Sequence, residues 1–151
     1  MKTATREPFA GTAQVQIRAL LEDWSAGIRE KDLDRIMAYY APDIVAFDAI
    51  VQLQFKGIDA YRKHWEYCLG LCEGAMVFEQ HQLSVYADEH LASAHWLNRC
   101  GGVDDKGDEK ASWMRGTATY RKTAEGWKAV HEHFSAPFDM ESGKALFDLQ
   151  P

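Results

Sequence analysis

The stretch WMRGTATYRKTAEGWKAVHEHFS, residues 113–135, decides the fold. Both of its halves alternate polar with small or apolar side chains, and Ala124, Glu125 and Gly126 between them have the composition of a tight turn. The pattern predicts two adjacent strands, Lys110–Lys122 and Trp127–Phe138. Alternation puts His131, His133 and Ser135 on one face of the last strand, and Arg115 with Thr117 on one face of its neighbour. If those faces line a cavity, two imidazoles, a guanidinium and two hydroxyls converge there. Such a set can bind a carboxylate or enolate and move a proton. The same parity places Trp113 and Trp127 with the inward sets and leaves Val130 and Phe134 on the opposite face, which is expected to pack against a second copy of the chain. The competing reading makes both histidines hydrogen-bonded structural residues of the sheet.

Working outward, period-two segments at Val77–Tyr86 and Leu91–Cys100 predict two earlier strands of the same meander. The turn GGVDDKGDE, residues 101–109, lacks the ligand pattern of a calcium loop and reads as a solvated hairpin tip. Before Gly74 the period is helical. Val15, Ile17, Leu20, Leu21, Trp24 and Ile28 mark a helix from Thr12, its possible N-cap, to Ile28. Asp32 caps a second, Leu33–Tyr40, which Pro42 ends, and Ile58–Leu71 is a third. Between them IVAFDAIVQLQFKG, residues 44–57, predicts one or two strands. Helices grouped first and strands last indicate an α+β domain, a curved sheet with helices on its concave side. The expected division is an N-terminal arm at residues 1–11, a domain at 12–139 and a tail at 140–151.

With 151 residues, 46% hydrophobic and 26% charged, the chain fits one folded domain rather than a disordered or fibrous one. A net charge of -6 without a basic cluster argues against nucleic acid or an anionic membrane as partner. Cys68, Cys72 and Cys100 are an odd number and point to reduced thiols in a cytoplasmic protein. No apolar run is long enough to span a bilayer.

The helix with Trp24, the Lys-Asp-Leu-Asp turn, the segments YYAPDIVAFD and FKGIDAYRKHW, and the final strand pair together resemble the nuclear-transport-factor-2-like superfamily. The match is closest to SnoaL-like and ketosteroid-isomerase-like proteins, and the last segment also resembles the association domain of calcium/calmodulin-dependent kinase. The similarity covers Thr12 to Phe138. It implies a cone of three helices on a strongly curved, mostly antiparallel sheet enclosing an apolar pocket, commonly as a homodimer. This fold hosts isomerases, cyclases, dehydratases and non-enzymes alike.

Asp48 follows the apolar run Ile44–Phe47, and the resemblance places it where ketosteroid isomerase carries its base. The alternative reading is a strand cap, or a partner of Arg115. The resemblance puts the oxyanion-hole phenol at Trp24 and the acid near Met114 or Arg115, where no carboxylate occurs, so steroid isomerisation is not expected. The enzymatic reading has Asp48 as base, His131 or His133 as acid or shuttle, and Arg115 with Trp24 steadying an anionic oxygen. Trp113, Thr117, Trp127 and Ser135 complete the expected pocket for a small organic ligand, with no cofactor. Two other classes stay open: a non-catalytic binding or oligomerisation module, and a metal enzyme built on His131, His133 and Asp48. His64, Cys68 and Cys72 recur every four residues on the third helix, but the cysteines lie on its apolar stripe and read as small hydrophobes rather than ligands.

Overall fold

Ile17, Leu21, Trp24 and Ile28 recur at three and four residues and are fully buried, which makes one side of α1 (Thr12–Arg29) a continuous apolar stripe. A computed structural model describes residues 12–151, so the expected arm and the residue preceding Thr12 lie outside the described residues. Thr12 is the first residue of the helix itself. Lys31 adopts a left-handed φ of 55° just past the end of α1. The Asp32 carboxylate then accepts from the backbone N–H of Arg35 at 3.1 Å and starts α2 (Leu33–Met37).

The second helix is shorter than its sequence predicts. The expectation carried it to Tyr40, but Tyr40 opens β1 (Tyr40–Phe47). Burial outweighs helix continuation here: the Tyr39 and Tyr40 rings are both closed off from water, and Tyr39 stacks on Trp24 at 4.8 Å between centroids. The remaining elements are β2 (Phe55–Lys56), α3 (Ile58–Gly70), β3 (Met76–Ala87), β4 (Leu91–Val103), β5 (Glu109–Thr123) and β6 (Gly126–Ser135). Their positions follow the sequence reading closely.

The sheet order is β2-β1-β6-β5-β4-β3. All neighbours are antiparallel except β1 and β6, which run parallel. The chain therefore crosses by way of α3 from one edge of the sheet to the other, and the β3–β6 meander returns it to β1. The sheet is curled and unclosed, with the three helices on it. Trp24 sits at the centre of the enclosed core, with Tyr39, Trp65, Phe78, Trp96 and Phe134 within 4.8–6.2 Å of its ring. Gly116 on β5 makes room for this cluster. A Cβ there would stand 2.5 Å from the Trp96 ring.

One irregularity in β6 sets everything that follows. Thr119 pairs with His131 but Tyr120 pairs with Ala129, so Val130 is an extra residue on β6. Trp127 and Ala129 point into the core before it, and Glu132 and Phe134 do so after it. The bulge thus reverses the facing of every later residue. Beyond the end of β6 the tail returns alongside β5: the Trp113 N–H donates to the Phe147 carbonyl at 3.3 Å, and the Leu146 N–H to that of Pro137 at 2.7 Å. Among the described residues, no helix is long and apolar enough to cross a membrane.

Candidate active site

Ile44 and Ala46 face inward from β1, and Asp48 takes the next position of the same parity just past the strand. Its side chain is only 11% exposed. Oδ1 accepts from the backbone N–H of Ile50 at 3.1 Å, which turns the chain. Helix α3 then lays two partners against it. Tyr61 and His64, three residues apart on one helical face, bring a phenol to 3.1 Å from Asp48 Oδ2 and the imidazole Nε2 to 3.3 Å from Oδ1. The His64 ring stacks on Phe55 at 4.1 Å, so its orientation is fixed by an apolar neighbour as well as by the carboxylate. Burial works against a charge on His64. The Asp48 hydrogen bond and charge, with the Cys68 sulfur 3.5 Å away, overcome it and raise the imidazole to about 9. Near neutral pH the two groups form an ion pair.

The network continues inward to Glu132, which has no exposure at all. The Tyr61 hydroxyl lies 2.6 Å from Glu132 Oε2, and the Tyr40 hydroxyl donates to the same oxygen at 2.7 Å. The indole N–H groups of Trp24 and Trp65 both donate to the Tyr40 oxygen, each at 3.1 Å. Glu132 Oε1 has no partner among the described residues. Burial pushes the Glu132 carboxyl up to about 8, against the pull of the Tyr61 and Tyr40 hydrogen bonds.

Asp48 and His64 stand in the wall of a cavity of about 920 Å³. The rest of that wall is mostly apolar, including Trp65, Leu69, Phe78, Met114 and Phe134. All three cysteines, each free, line it too, and burial raises the Cys100 thiol to about 11. A more open second cavity of about 700 Å³ lies on the other side of Asp48 and is bordered by His133 and residues 51–54.

The residues expected to share the cavity divide between two faces. Arg115, Thr117, His131, His133 and Ser135 do come together, as alternation predicts: Arg115 Nε donates to Ser135 Oγ at 3.1 Å, and Thr117 pairs with His133. They assemble on the outer face of the sheet, however, because Met114, Gly116, Ala118 and Tyr120 take the inner face of β5 and the Val130 bulge turns the histidines outward. His131 Nδ1 is spent on the Val45 carbonyl at 2.7 Å. Trp113 is also outside, edge-on to His81. Trp24 and Trp127 are inside but do not line the cavity, since their N–H groups serve Tyr40 and Gln16. The proposed partner Arg115 is replaced at Asp48 by His64.

His131, His133 and Asp48 do not form one ligand set, and among the described residues no group of three or more His, Cys, Asp or Glu side chains is placed to hold a metal ion. The sequence reading set His64 beside the cysteines of the third helix rather than Asp48, and gave Tyr61 and Glu132 no role in the site. His64 left a trace: a histidine on the apolar stripe of a helix, three residues after a tyrosine. Glu132 left none, because a straight strand would have turned it to solvent.

The fold and this geometry can be set beside known proteins. The model of the SnoaL-like domain matches residues 17–139. A solved NTF2-like protein of unknown function from Pseudomonas putida is 54% identical, with 92% of this chain and 96% of that one covered and a TM-score of 0.86. Two more distant structures share the fold alone. One, from Xanthomonas campestris, is provisionally described as a calcium/calmodulin-dependent protein kinase II association domain (21% identity, 86% and 91% covered, TM-score 0.72). The other, from Streptomyces avermitilis, is provisionally described as a dehydratase of the NTF2-like family (14% identity, 81% and 94% covered, TM-score 0.69). No curated protein matches the chain.

Proposed function

The chain belongs to the SnoaL-like family, and from that premise we propose that it is an acid–base enzyme acting on a small, largely apolar carbonyl compound. The reaction is a proton transfer of isomerase, cyclase or lyase type, carried by the protein's own side chains. One observation bears most of the weight: a nearly buried carboxylate held between an imidazolium and a phenol in the wall of an apolar cavity of about 920 Å³. Asp48 removes a proton alpha to the substrate carbonyl, and the electron pair of the broken C–H bond moves to the carbonyl oxygen. The positive charge of His64 favours the enolate that forms, and the surrounding apolar wall strengthens that attraction by excluding water. Trp24 takes no part as oxyanion donor, since its N–H is committed to Tyr40. A name of dehydratase on one fold neighbour agrees with the lyase variant without establishing it.

The competing class is a ligand-binding module in which Asp48 and His64 are only a structural pair. Deuterium exchange separates the two. A panel of small apolar ketones is incubated with the protein in heavy water and loss of the alpha-proton signals is followed by NMR. The expected result is catalysed exchange in the native protein and its loss in Asp48→Asn with an unchanged circular dichroism spectrum. Exchange that survives in Asp48→Asn, or ligands that bind without exchanging, would overturn the enzymatic reading.

A further inference from the structure

Hydroxyl protons can be counted through the buried network. The Tyr40 oxygen receives two indole N–H groups, and indole nitrogen only donates. The single Tyr40 proton is therefore directed to Glu132. Tyr61 also has one hydroxyl proton, yet its oxygen lies between two carboxyl groups, Glu132 at 2.6 Å and Asp48 at 3.1 Å. If both were ionised, one of these contacts would set two oxygen acceptors against each other without a hydrogen between them. The second Glu132 oxygen would also remain a buried, charged acceptor with no donor. One additional proton resolves both difficulties. Placed on Glu132, it bonds to the Tyr61 oxygen, sends the Tyr61 proton to Asp48, and leaves Oε1 as a neutral carbonyl oxygen.

We propose that Glu132 is a positioning residue that holds one proton in the resting protein and thereby turns the Tyr61 hydroxyl toward Asp48. The location of that proton follows from surroundings on every side. Toward Glu132 face the phenols of Tyr39 just before β1, Tyr40 at its start, Tyr61 from α3 and Tyr120 from β5, none of them cationic. Among the described residues the nearest basic group, His64, is in contact with Asp48. The additional proton therefore belongs on the carboxyl that lies among phenols, Glu132, and not on the one held against the imidazole. The importance of this for catalysis rests on the reading of Asp48 as base: Glu132 determines whether the base enters the reaction with two donors, His64 and the Ile50 N–H, or with three. When Glu132 loses its proton, the Tyr61 hydroxyl swings to the shorter, newly charged contact, and Asp48 keeps only His64 and the Ile50 N–H.

The test needs no substrate, so it stands or falls independently of the exchange experiment. Infrared difference spectra are recorded on either side of about pH 8, where the Glu132 carboxyl is expected to titrate. Native protein should show the carbonyl stretch of a protonated, water-excluded carboxylic acid at neutral pH and lose it on the alkaline side. Glu132→Gln should lack the band, and Tyr61→Phe should keep it at a shifted frequency, since the acid then loses its acceptor. In parallel, the side-chain carboxyl carbon of Asp48 is followed by NMR. Its resonance should move together with the loss of the infrared band in native protein, and that coupled movement should vanish in both variants. The proposal is overturned by the absence of the band in native protein at neutral pH, by its persistence in Glu132→Gln, or by an Asp48 resonance that ignores the titration.

Discussion

On the inner face of β6, Glu132 and Phe134 are closed off from water, whereas one residue away on the outer face His133 is exposed and His131 half-buried. By residue type the outer face looks the more chemical of the two: two imidazoles, a guanidinium and hydroxyls lie side by side there. Yet solvent screens those groups. The inner face closes its ionisable groups off from water and shifts them. Glu132 rises to about 8 because it has lost its water, and His64 to about 9 because Asp48 and Cys68 outweigh its own loss of water. The difference teaches that desolvation and a fixed partner make a reactive group, while crowding of polar residues on a wet surface does not.

The sharpest way to break this comparison is to remove one carboxylate or imidazole from each face and measure exchange of ketone alpha-protons. Asp48→Asn should lower the rate by about 10²–10⁴-fold, the usual contribution of a positioned general base, and His133→Asn by far less. Comparable losses would return the chemistry to the outer face. Stability offers the next contrast. Glu132→Ala opens a cavity and strands the Tyr40 and Tyr61 hydroxyls, so denaturant titration should show a loss of about 3–5 kcal/mol, whereas His131→Ala gives up one hydrogen bond worth about 1 kcal/mol. Gly116→Ala forces a methyl group against the Trp96 ring and should cost about 1–3 kcal/mol by the same measurement.

The pH dependence of stability sharpens the comparison further. Both inner groups bind a proton more tightly when folded than when unfolded, so their stabilising effect is complete below the unfolded pKa and is lost as pH rises toward the folded one. For Glu132 that window runs from 4.5 to about 8, and for His64 from 6.5 to about 9. The unfolding free energy should therefore fall across both windows, with a limiting slope of about 1.4 kcal/mol per pH unit for each group, and the melting temperature should fall with it. Glu132→Gln should flatten the lower window and leave the upper one. The smallest effect belongs outside: Arg115→Ala should change stability by no more than about 0.5 kcal/mol, since its bond to Ser135 is exposed.

Much of the architecture was legible from periodicity. The limits of α1, α3 and the four long strands follow from apolar spacing and turn residues, because those patterns record which side of an element must lose water. Asp48 was legible for the same reason, as a charge at the end of a buried run. The helix ending at Met37 rather than Tyr40 was not, since long-range burial of the Tyr39 and Tyr40 rings outweighed the local helical pattern. The outer group of Arg115, Thr117, His131, His133 and Ser135 was assembled correctly and assigned to the wrong side. Alternation tells which residues travel together but not which side they take once a strand gains a residue, and nothing in Lys128-Ala129-Val130 announces a bulge. Glu132 and His64 depended on contacts between elements far apart in the chain, which no local pattern encodes.

Val130 also has a meaning for how such a fold can change its chemistry over time. A strand carries two complete sets of side chains, and only the parity of its count decides which set is in use. Were the extra residue absorbed into the ladder, with Val130 taking Thr119 as its partner, β6 would run straight, Glu132 would turn to solvent and His131 and His133 would face the interior in its place. In that sense the histidines on the outside are a second site held in reserve, one step of register away.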